Sequence, residues 1–212
     1  MKRKFCMIVW GVLLGIAGGY GQEFKPLEGQ ELRKMLDEIR RISAGIETFE
    51  CDFIQRKEIA ILRETAEAEG RMYYEKPDCL RWEYLQPQAY YFIINKGKSG
   101  MRKDGTTDRS GGSRIFGEMG KMILACIRGE KLVDEERFEP AYSCKGDLFR
   151  ISLRSRSRRL QQIMDVLILE FSVQAHTIQA VEMRQGEDVT RIEFVNKKIN
   201  KGIDHSFFQW KE

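Results

Sequence analysis

The chain has 212 residues, which is enough for one domain with a hydrophobic core and leaves little for a second. Its formal net charge is +4, and three of its basic residues are Lys2, Arg3 and Lys4. Without those three the net charge is about +1, with both signs mixed along the chain, and this balance argues against a nucleic-acid-binding protein.

The N-terminus has the pattern of an export signal. The three basic residues precede an apolar run from Phe5 to Ala17, and Gly19-Tyr20-Gly21 supplies small residues at the position that a signal peptidase reads. We predict a signal peptide over residues 1–21, cleaved near Gly21, and a single domain over residues 22–212. The apolar run is short for a membrane span, and a retained N-terminal anchor is the alternative.

The first predicted element of the domain is an amphipathic helix. Apolar residues recur at helical spacing from Glu28 to Ser43, with charged residues between them. From Thr48 the period changes to two, since Phe49, Cys51 and Phe53 alternate with polar residues, and this alternation predicts a half-buried strand. Further strands are predicted at Arg71–Tyr74, Cys79–Tyr84, Tyr90–Asn95 and Ser99–Lys103.

A turn is predicted at Asp104-Gly105, and the polar, Gly-rich segment Thr106–Ser113 is predicted to be a loop. A second amphipathic helix follows from about Arg114 to Arg128, with Gly129 as its C-cap. A short helical bridge is expected at Arg158–Met164. The remaining predicted elements are strands, at Tyr142–Cys144, Leu148–Leu153, Val166–Ser172, Ile178–Met183, Val189–Phe194 and Ser206–Trp210.

Consecutive strands without β-α-β alternation predict an α+β fold with one large antiparallel sheet. A sheet of this size curls. If the two helices close over its concave face, they cap a cavity.

Four cysteines remain after the predicted cleavage, at Cys51, Cys79, Cys126 and Cys144. An exported protein can form disulfides, so either one or two disulfides or buried thiols are expected, with three pairings open if all four bond. The spacings contain no CxxC pair, and the domain has only two histidines, so we expect no metal site.

Motifs for catalysis are missing from the sequence. It contains no GxSxG elbow, no HExxH and no Gly-rich phosphate loop. Asp204-His205-Ser206 places three suitable residue types side by side, but members of a triad converge from separate elements. We therefore expect no catalytic residues, no cofactor and no enzymatic activity.

Three segments together resemble the LolA family of lipoprotein carriers. Phe49-Glu50-Cys51-Asp52-Phe53-Ile54-Gln55 is similar to the family's F-x-a-x-F-x-Q opening strand. Gly70–Pro77, followed by Leu80–Tyr84, resembles its G-x-Φ-Φ-Φ-x-[R/K]-P core with Φ-x-W after it, where Φ is apolar or aromatic. The segments Ile192–Asn196 and Asn200–Ile203, together with Phe207-Phe208, resemble its closing strands.

The resemblance implies a half-barrel of antiparallel strands with the helices as a lid, in a monomer located in the periplasm. The cargo would be acylated lipoproteins or lipid, received from an inner-membrane lipoprotein-releasing transporter and passed to the outer membrane directly or through an acceptor. Lys76 stands where the family has an arginine that holds the lid closed, and lysine lacks the planar donor fork. The predicted acyl-binding cavity is lined by Phe53, Trp82, Tyr84, Phe92, Ile94, Met119, Met122, Ile123 and Phe194.

Alternatives remain open at the sequence level. The protein could carry another lipid or hydrophobic product, or it could be an envelope-stress sensor that binds a lipid or a protein. The basic run Arg154–Arg159 is either a solvated loop or a docking patch for a membrane partner or acidic lipid.

Overall fold

The computed structural model describes residues 23–103, 106–108, 120, 123–129, 133–162 and 164–209. Its main feature is one antiparallel sheet of twelve strands, in the spatial order β1-β8-β9-β10-β11-β12-β2-β3-β4-β5-β6-β7. Within the described ranges the helices are few, so the predicted α+β class with a large antiparallel sheet is confirmed.

The strands cover most of the described chain. The helices are α1 (Gly29–Ala44), α2 (residues 123–128) and α3 (Arg158–Gln161), with a 3-10 helix at His205–Phe208. The strands are β1 (Lys25–Pro26), β2 (Thr48–Ile59), β3 (Glu64–Glu75), β4 (Cys79–Gln86), β5 (Tyr90–Asn95), β6 (Lys98–Lys103), β7 (Thr106–Asp108), β8 (Phe138–Lys145), β9 (Leu148–Ser155), β10 (Val166–Ser172), β11 (Ile178–Gln185) and β12 (Asp188–Ile199).

Alternation along each strand gives the sheet an inner apolar face. In β2, Phe49, Cys51 and Phe53 are buried and point to the same side, because successive side chains of a strand alternate between faces. The register carries this face across the sheet, since Phe53 pairs with Phe194 of β12 on one side and with Gly70 of β3 on the other. The hydrophobic core therefore lies on one face of the sheet, under α1 and α2.

The topology brings an early strand and the last strand together at the centre of the sheet. Strand β2 pairs with β12, so the first long strand and the last one are neighbours. Register shifts occur at Glu69/Gly70, at Glu170/Phe171 and between Val195 and Lys198. Such irregularities bend strands and increase the local twist, which favours a curved sheet.

Two predicted elements were wrong. Ser206–Trp210 is not a strand over its described part, because His205–Phe208 forms a 3-10 helix whose first turn is capped by the Asp204 carboxylate accepting from Ser206 N at 2.9 Å. The loop prediction fails at Thr106–Asp108, which pairs with β6. Sequence analysis also missed β1, which is only two residues long.

Most other elements match their predictions in position. Helix α1, β5 and β10 lie within one residue of the expected bounds, while β2, β3 and β12 each reach twelve residues. The predicted signal peptide, the turn at Asp104-Gly105, residues 109–113 of the predicted loop and most of the second predicted helix lie outside the described residues.

All four cysteines of the domain carry free thiols. Cys51, Cys79 and Cys126 are buried and Cys144 is half-buried, so of the two possibilities left open by the sequence the buried thiols are the ones observed. Burial raises the pKa of each thiol, for Cys126 to about 12. None of the helices in the described ranges is long and apolar enough to cross a membrane.

Candidate functional site

An aromatic group occupies the inner face where β2, β3, β4 and β12 meet. The ring centroids of Phe53 and Trp82 are 4.4 Å apart, and Tyr84 meets the Phe53 ring edge-on at 5.1 Å. Phe194 approaches Trp82 edge-on at 6.0 Å. With their aliphatic neighbours these residues form what we call the inner-face cluster: Phe53, Trp82, Tyr84, Phe92, Ile94, Ile123 and Phe194.

The structure thus brings together seven of the nine predicted cavity residues. Each of the seven is buried, with no more than 6% of its surface exposed. Met119 and Met122 lie outside the described residues.

Gly70 explains how the Phe53 ring lies flat on the sheet. A Cβ at Gly70 would overlap the ring of Phe53 and the backbone carbonyl of Glu83. Only glycine leaves room for the aromatic ring over β3. The glycine that opens the Gly70–Pro77 motif is therefore required by the packing of the aromatic group.

Two glycines, one on each side of α2, bring the chain close to the sheet and to α1. A Cβ at Gly120 would come 2.7 Å from Ile94 Cδ1 and 3.2 Å from both Leu80 and Phe92, so this part of the chain lies directly on β4 and β5. At the other end, a Cβ at Gly129 would come 2.7 Å from the Cβ of Ser43 in α1. The backbone of this segment therefore lies closely against both surfaces.

The turn at Lys76-Pro77 connects the sheet to both helices. Lys76 Nζ donates to the Ala44 carbonyl at the end of α1, at 3.3 Å, and pairs with the Glu47 carboxylate at 2.8 Å. Arg128 of α2 donates to the Pro77 carbonyl at 3.1 Å. Lys76 thus binds the end of α1. The contact with α2 is made by Arg128, a residue of that helix, and the sequence did not indicate this contact.

Polar groups within the inner-face cluster are few. The Tyr84 hydroxyl donates to Gln55 Oε1 at 2.8 Å, and burial raises the pKa of Tyr84 above its ordinary value. Trp82 Nε1 is buried without a hydrogen-bond partner among the described residues. The surface is therefore suited to apolar groups.

The apolar surface is wider than the sequence prediction. Side chains of β9, β10 and α1 join it, although the prediction placed them only in ordinary strands and helices. The alternation of apolar residues in these elements was visible in the sequence, but the candidate cavity residues were selected from the aromatic motifs of β2 to β5. The residues missed in this way include Phe149, Ile151, Leu153, Leu167, Leu169, Phe171, Leu32, Met35, Leu36 and Ile39.

Within the described ranges, no three His, Cys, Asp or Glu side chains are grouped so that they could hold a metal ion. His205 Nδ1 lies 2.7 Å from the Glu75 carboxylate, while Asp204 and Ser206 are used in the cap of the 3-10 helix.

Comparison with solved structures finds the same fold. A structure of MucB superposes with a TM-score of 0.51 at 9% identity, covering 84% of this chain and 62% of MucB. The MucA/MucB complex from Pseudomonas aeruginosa gives a TM-score of 0.50 at 9% identity, covering 84% and 60%. A LolA superfamily protein from Nitrosomonas europaea gives 0.44 at 8% identity, covering 84% and 97%.

Comparison with curated protein sequences finds no match. The family model described as outer membrane lipoprotein carrier protein LolA matches residues 44–211, which include every strand from β2 to β12 and the whole inner-face cluster. The resemblance of the opening, core and closing segments is therefore confirmed over most of the chain, and the protein belongs to the LolA family.

Proposed function

We propose that the protein is a periplasmic carrier that binds the acyl chains of lipoproteins against the inner-face cluster and moves them from the inner to the outer membrane. It acts as a monomer and not as an enzyme, and its leader is removed near Gly21. It receives cargo from an inner-membrane lipoprotein-releasing transporter, and the outer membrane or an acceptor there takes it over.

The observation that carries this proposal is the one-sided apolar surface under two helices. Each methylene of an acyl chain that leaves water contributes about 0.8 kcal/mol, so a carrier needs an extended apolar surface shielded from water. The inner face supplies one from β9 across to β5. Helix α2 covers it with the buried side chains of Ile123, Leu124 and Ile127, and the chain comes close to the surface below at Gly120 and Gly129. Movement of α2 away from these contacts would admit the chains.

The proposal is tested by acyl binding with one substitution on each face of the sheet. Trp82→Arg places a charge without a partner in the inner-face cluster, and we expect it to weaken binding of a fluorescent fatty-acid probe about tenfold or more. Phe207→Arg is the matched control, since Phe207 stacks on Tyr73 on the opposite face. Circular dichroism checks that both variants fold.

Native mass spectrometry of the purified protein gives the second measurement. The proposal expects one acylated protein or lipid per chain, lost in Trp82→Arg and kept in Phe207→Arg. A wild-type protein that is empty and takes up no probe would overturn the carrier function.

A second candidate is a regulatory sensor, and the likeness to MucB favours it. MucB has been solved in complex with MucA, and the present chain covers about 60% of MucB in that complex. A sensor would be isolated with a protein partner and would transfer no acyl cargo to acceptor vesicles. A carrier of another hydrophobic product would bind the probe and be isolated with lipid, but not with acylated protein.

A further inference from the structure

We propose that one end of the sheet is a membrane-docking rim, at which the protein contacts the surface of a phospholipid bilayer. The rim is formed by the β2–β3 turn (residues 60–63), the end of β4, the β11–β12 turn (residues 186–187) and the segment Arg154–Arg158. The inference rests on the proposed carrier function and adds how the carrier meets its acceptor membrane.

The register places these segments at the same end of the sheet. Arg154 of β9 pairs with Val166, Val166 with Arg184, and Val189 with Glu58. The β2–β3 turn therefore lies at the same end of the sheet as the basic segment that begins in β9. They are about a hundred residues apart in sequence, and only the antiparallel pairing through the three intervening strands β10, β11 and β12 brings them to one rim.

Exposed apolar side chains are concentrated on this rim. Among the described residues, four large hydrophobic side chains are exposed, and Ile61, Leu62 and Leu85 of the rim are three of them. Ile61 is 90% exposed and Leu62 57%. Isolated apolar residues on a surface are ordinary, but two adjacent ones at the tip of a hairpin form a small apolar point that water solvates poorly.

The hairpin holds this point in a defined position. Leu62 N donates to Ile59 O at 3.1 Å, Arg63 N donates to Ala60 O at 3.2 Å, and Ala60 N donates to the Asp188 carboxylate at 2.9 Å. On the other side, β4 ends at Gln86, which pairs with Glu69, so residues 64–68 of β3 extend past it. Five residues of strand correspond to about 17 Å of projection.

Charge on the rim favours an anionic surface. The sequence from Ile151 to Met164 contains no acidic residue, and Arg154 and Arg158 are exposed without an ion pair to any described residue. Arg156 is fixed by donating to the carbonyls of Glu135 and Phe138. The acidic residues at 134–136, Glu187 of the β11–β12 turn, and Glu58 and Glu64 beside the β2–β3 turn reduce the net charge of the rim. We therefore assign the larger share of binding to the apolar tip and the preference for anionic lipid to the arginines.

The test is flotation of the purified protein with vesicles of phosphatidylcholine alone and of phosphatidylcholine mixed with phosphatidylglycerol. We expect weak, reversible binding that is stronger on the mixed vesicles, because each arginine near an anionic surface contributes roughly a fivefold gain. Ile61→Ser with Leu62→Ser should reduce binding to both vesicle types about tenfold. Arg154→Gln with Arg158→Gln should remove the preference for the mixed vesicles.

Lys98→Gln is the matched control, since Lys98 is an exposed cation at the start of β6, at the opposite end of the sheet. It should bind vesicles like the wild type. Uptake of the fatty-acid probe should be unchanged in all of these variants, because none alters the inner-face cluster. Failure of the wild type to take up the probe overturns the carrier function.

Normal probe uptake with no vesicle binding, or with binding that the rim variants leave unchanged, overturns the docking rim alone. A third outcome concerns the transfer of cargo to vesicles that contain an envelope protein. If the rim variants lose transfer only with these vesicles, the docking rim is also overturned, in favour of a protein acceptor.

Discussion

At the scale of single residues, the inner-face cluster depends on the glycine at position 70, which has no side chain, as much as on its aromatic residues. Phe53 lies over Gly70, and its ring meets Trp82 and Tyr84 from there. A larger residue at Gly70 would displace Phe53 and press on the backbone of β4. The motif that links the chain to its family therefore has a direct physical cause at its first position.

Gly70→Ala should destabilise the protein by about 2–3 kcal/mol, because the new Cβ overlaps a backbone carbonyl that cannot move without disturbing the ladder. Unfolding in urea measures the change. Gly202→Ala is the control, since a Cβ there meets no atom within 4 Å, and it should leave the free energy of unfolding unchanged. Equal effects of the two substitutions would show that the Phe53–Gly70 contact is not a packing constraint.

At the scale of elements, four strands are tied together on the outer face by one buried carboxylate. Glu170 of β10 accepts from Arg150 of β9 at 2.7 Å and from Arg191 of β12 at 2.7 Å, and Arg191 also contacts Glu182 of β11. Burial by itself would raise the pKa of Glu170, but the hydrogen bonds from Arg191 and Arg150 outweigh it and hold the pKa below its ordinary value of 4.5. The charged form is thus favoured in the folded protein.

This network should make stability depend on acid. A carboxyl group whose pKa is lowered by folding contributes stability that is fully present above its ordinary pKa and is lost as the pH falls through the folded value. Glu170→Gln should cost about 2 kcal/mol at neutral pH and should flatten the loss of stability below pH 4.5. Urea unfolding across this range measures both effects.

Glu67→Gln is the matched control for the buried pair. Glu67 pairs with Arg56, and both side chains are largely exposed, so the change should stay below about 1 kcal/mol. If Glu170→Gln leaves the acid dependence of unfolding intact, the network does not stabilise the sheet.

At the scale of the whole molecule, the sheet is covered differently on its two faces. On the outer face Phe24 lies under the Arg150 guanidinium at 3.5 Å, and Phe208 is buried near Tyr73 and Cys79. On the inner face the cover is α1 and α2, and α2 contributes the buried side chains of Ile123, Leu124, Cys126 and Ile127 to the core. Opening is expected on the inner face with α2 as the moving part, because this helix is short and is held there by apolar contacts, which are non-directional.

Alkylation of Cys126 in α2 should report that opening. Burial raises its pKa to about 12, so alkylation should keep accelerating with pH beyond pH 10 and should be roughly a hundredfold slower than at the half-buried Cys144. Arg128→Gln removes the hydrogen bond to Pro77. It should accelerate the alkylation of Cys126 without changing that of Cys144. Peptide mapping by mass spectrometry reads each thiol separately, and a uniform acceleration would indicate global unfolding instead of movement of α2.

Local patterns in the sequence were sufficient for most elements and for most of the candidate site. The change of period from 3.6 to two near Thr48 located α1 and β2, and the aromatic motifs of β2 to β5 identified Phe53, Trp82 and Phe92 as inward-facing. These features follow from the spacing of apolar residues within one element. The 3-10 helix at His205–Phe208 was missed because its aromatic residues are typical of a strand, while burial of Phe208 against the sheet selects the tighter turn.

Tertiary structure alone decided which elements are neighbours. Nothing in the sequence around Phe49 indicates that β2 pairs with β12, that Arg128 donates to the turn at Pro77, or that Ile61 lies at the same rim as Arg154. These relations depend on strand order and register between segments far apart in the chain. Composition and periodicity determine what each segment forms, whereas the long-range backbone pairing determines which surfaces those segments build together.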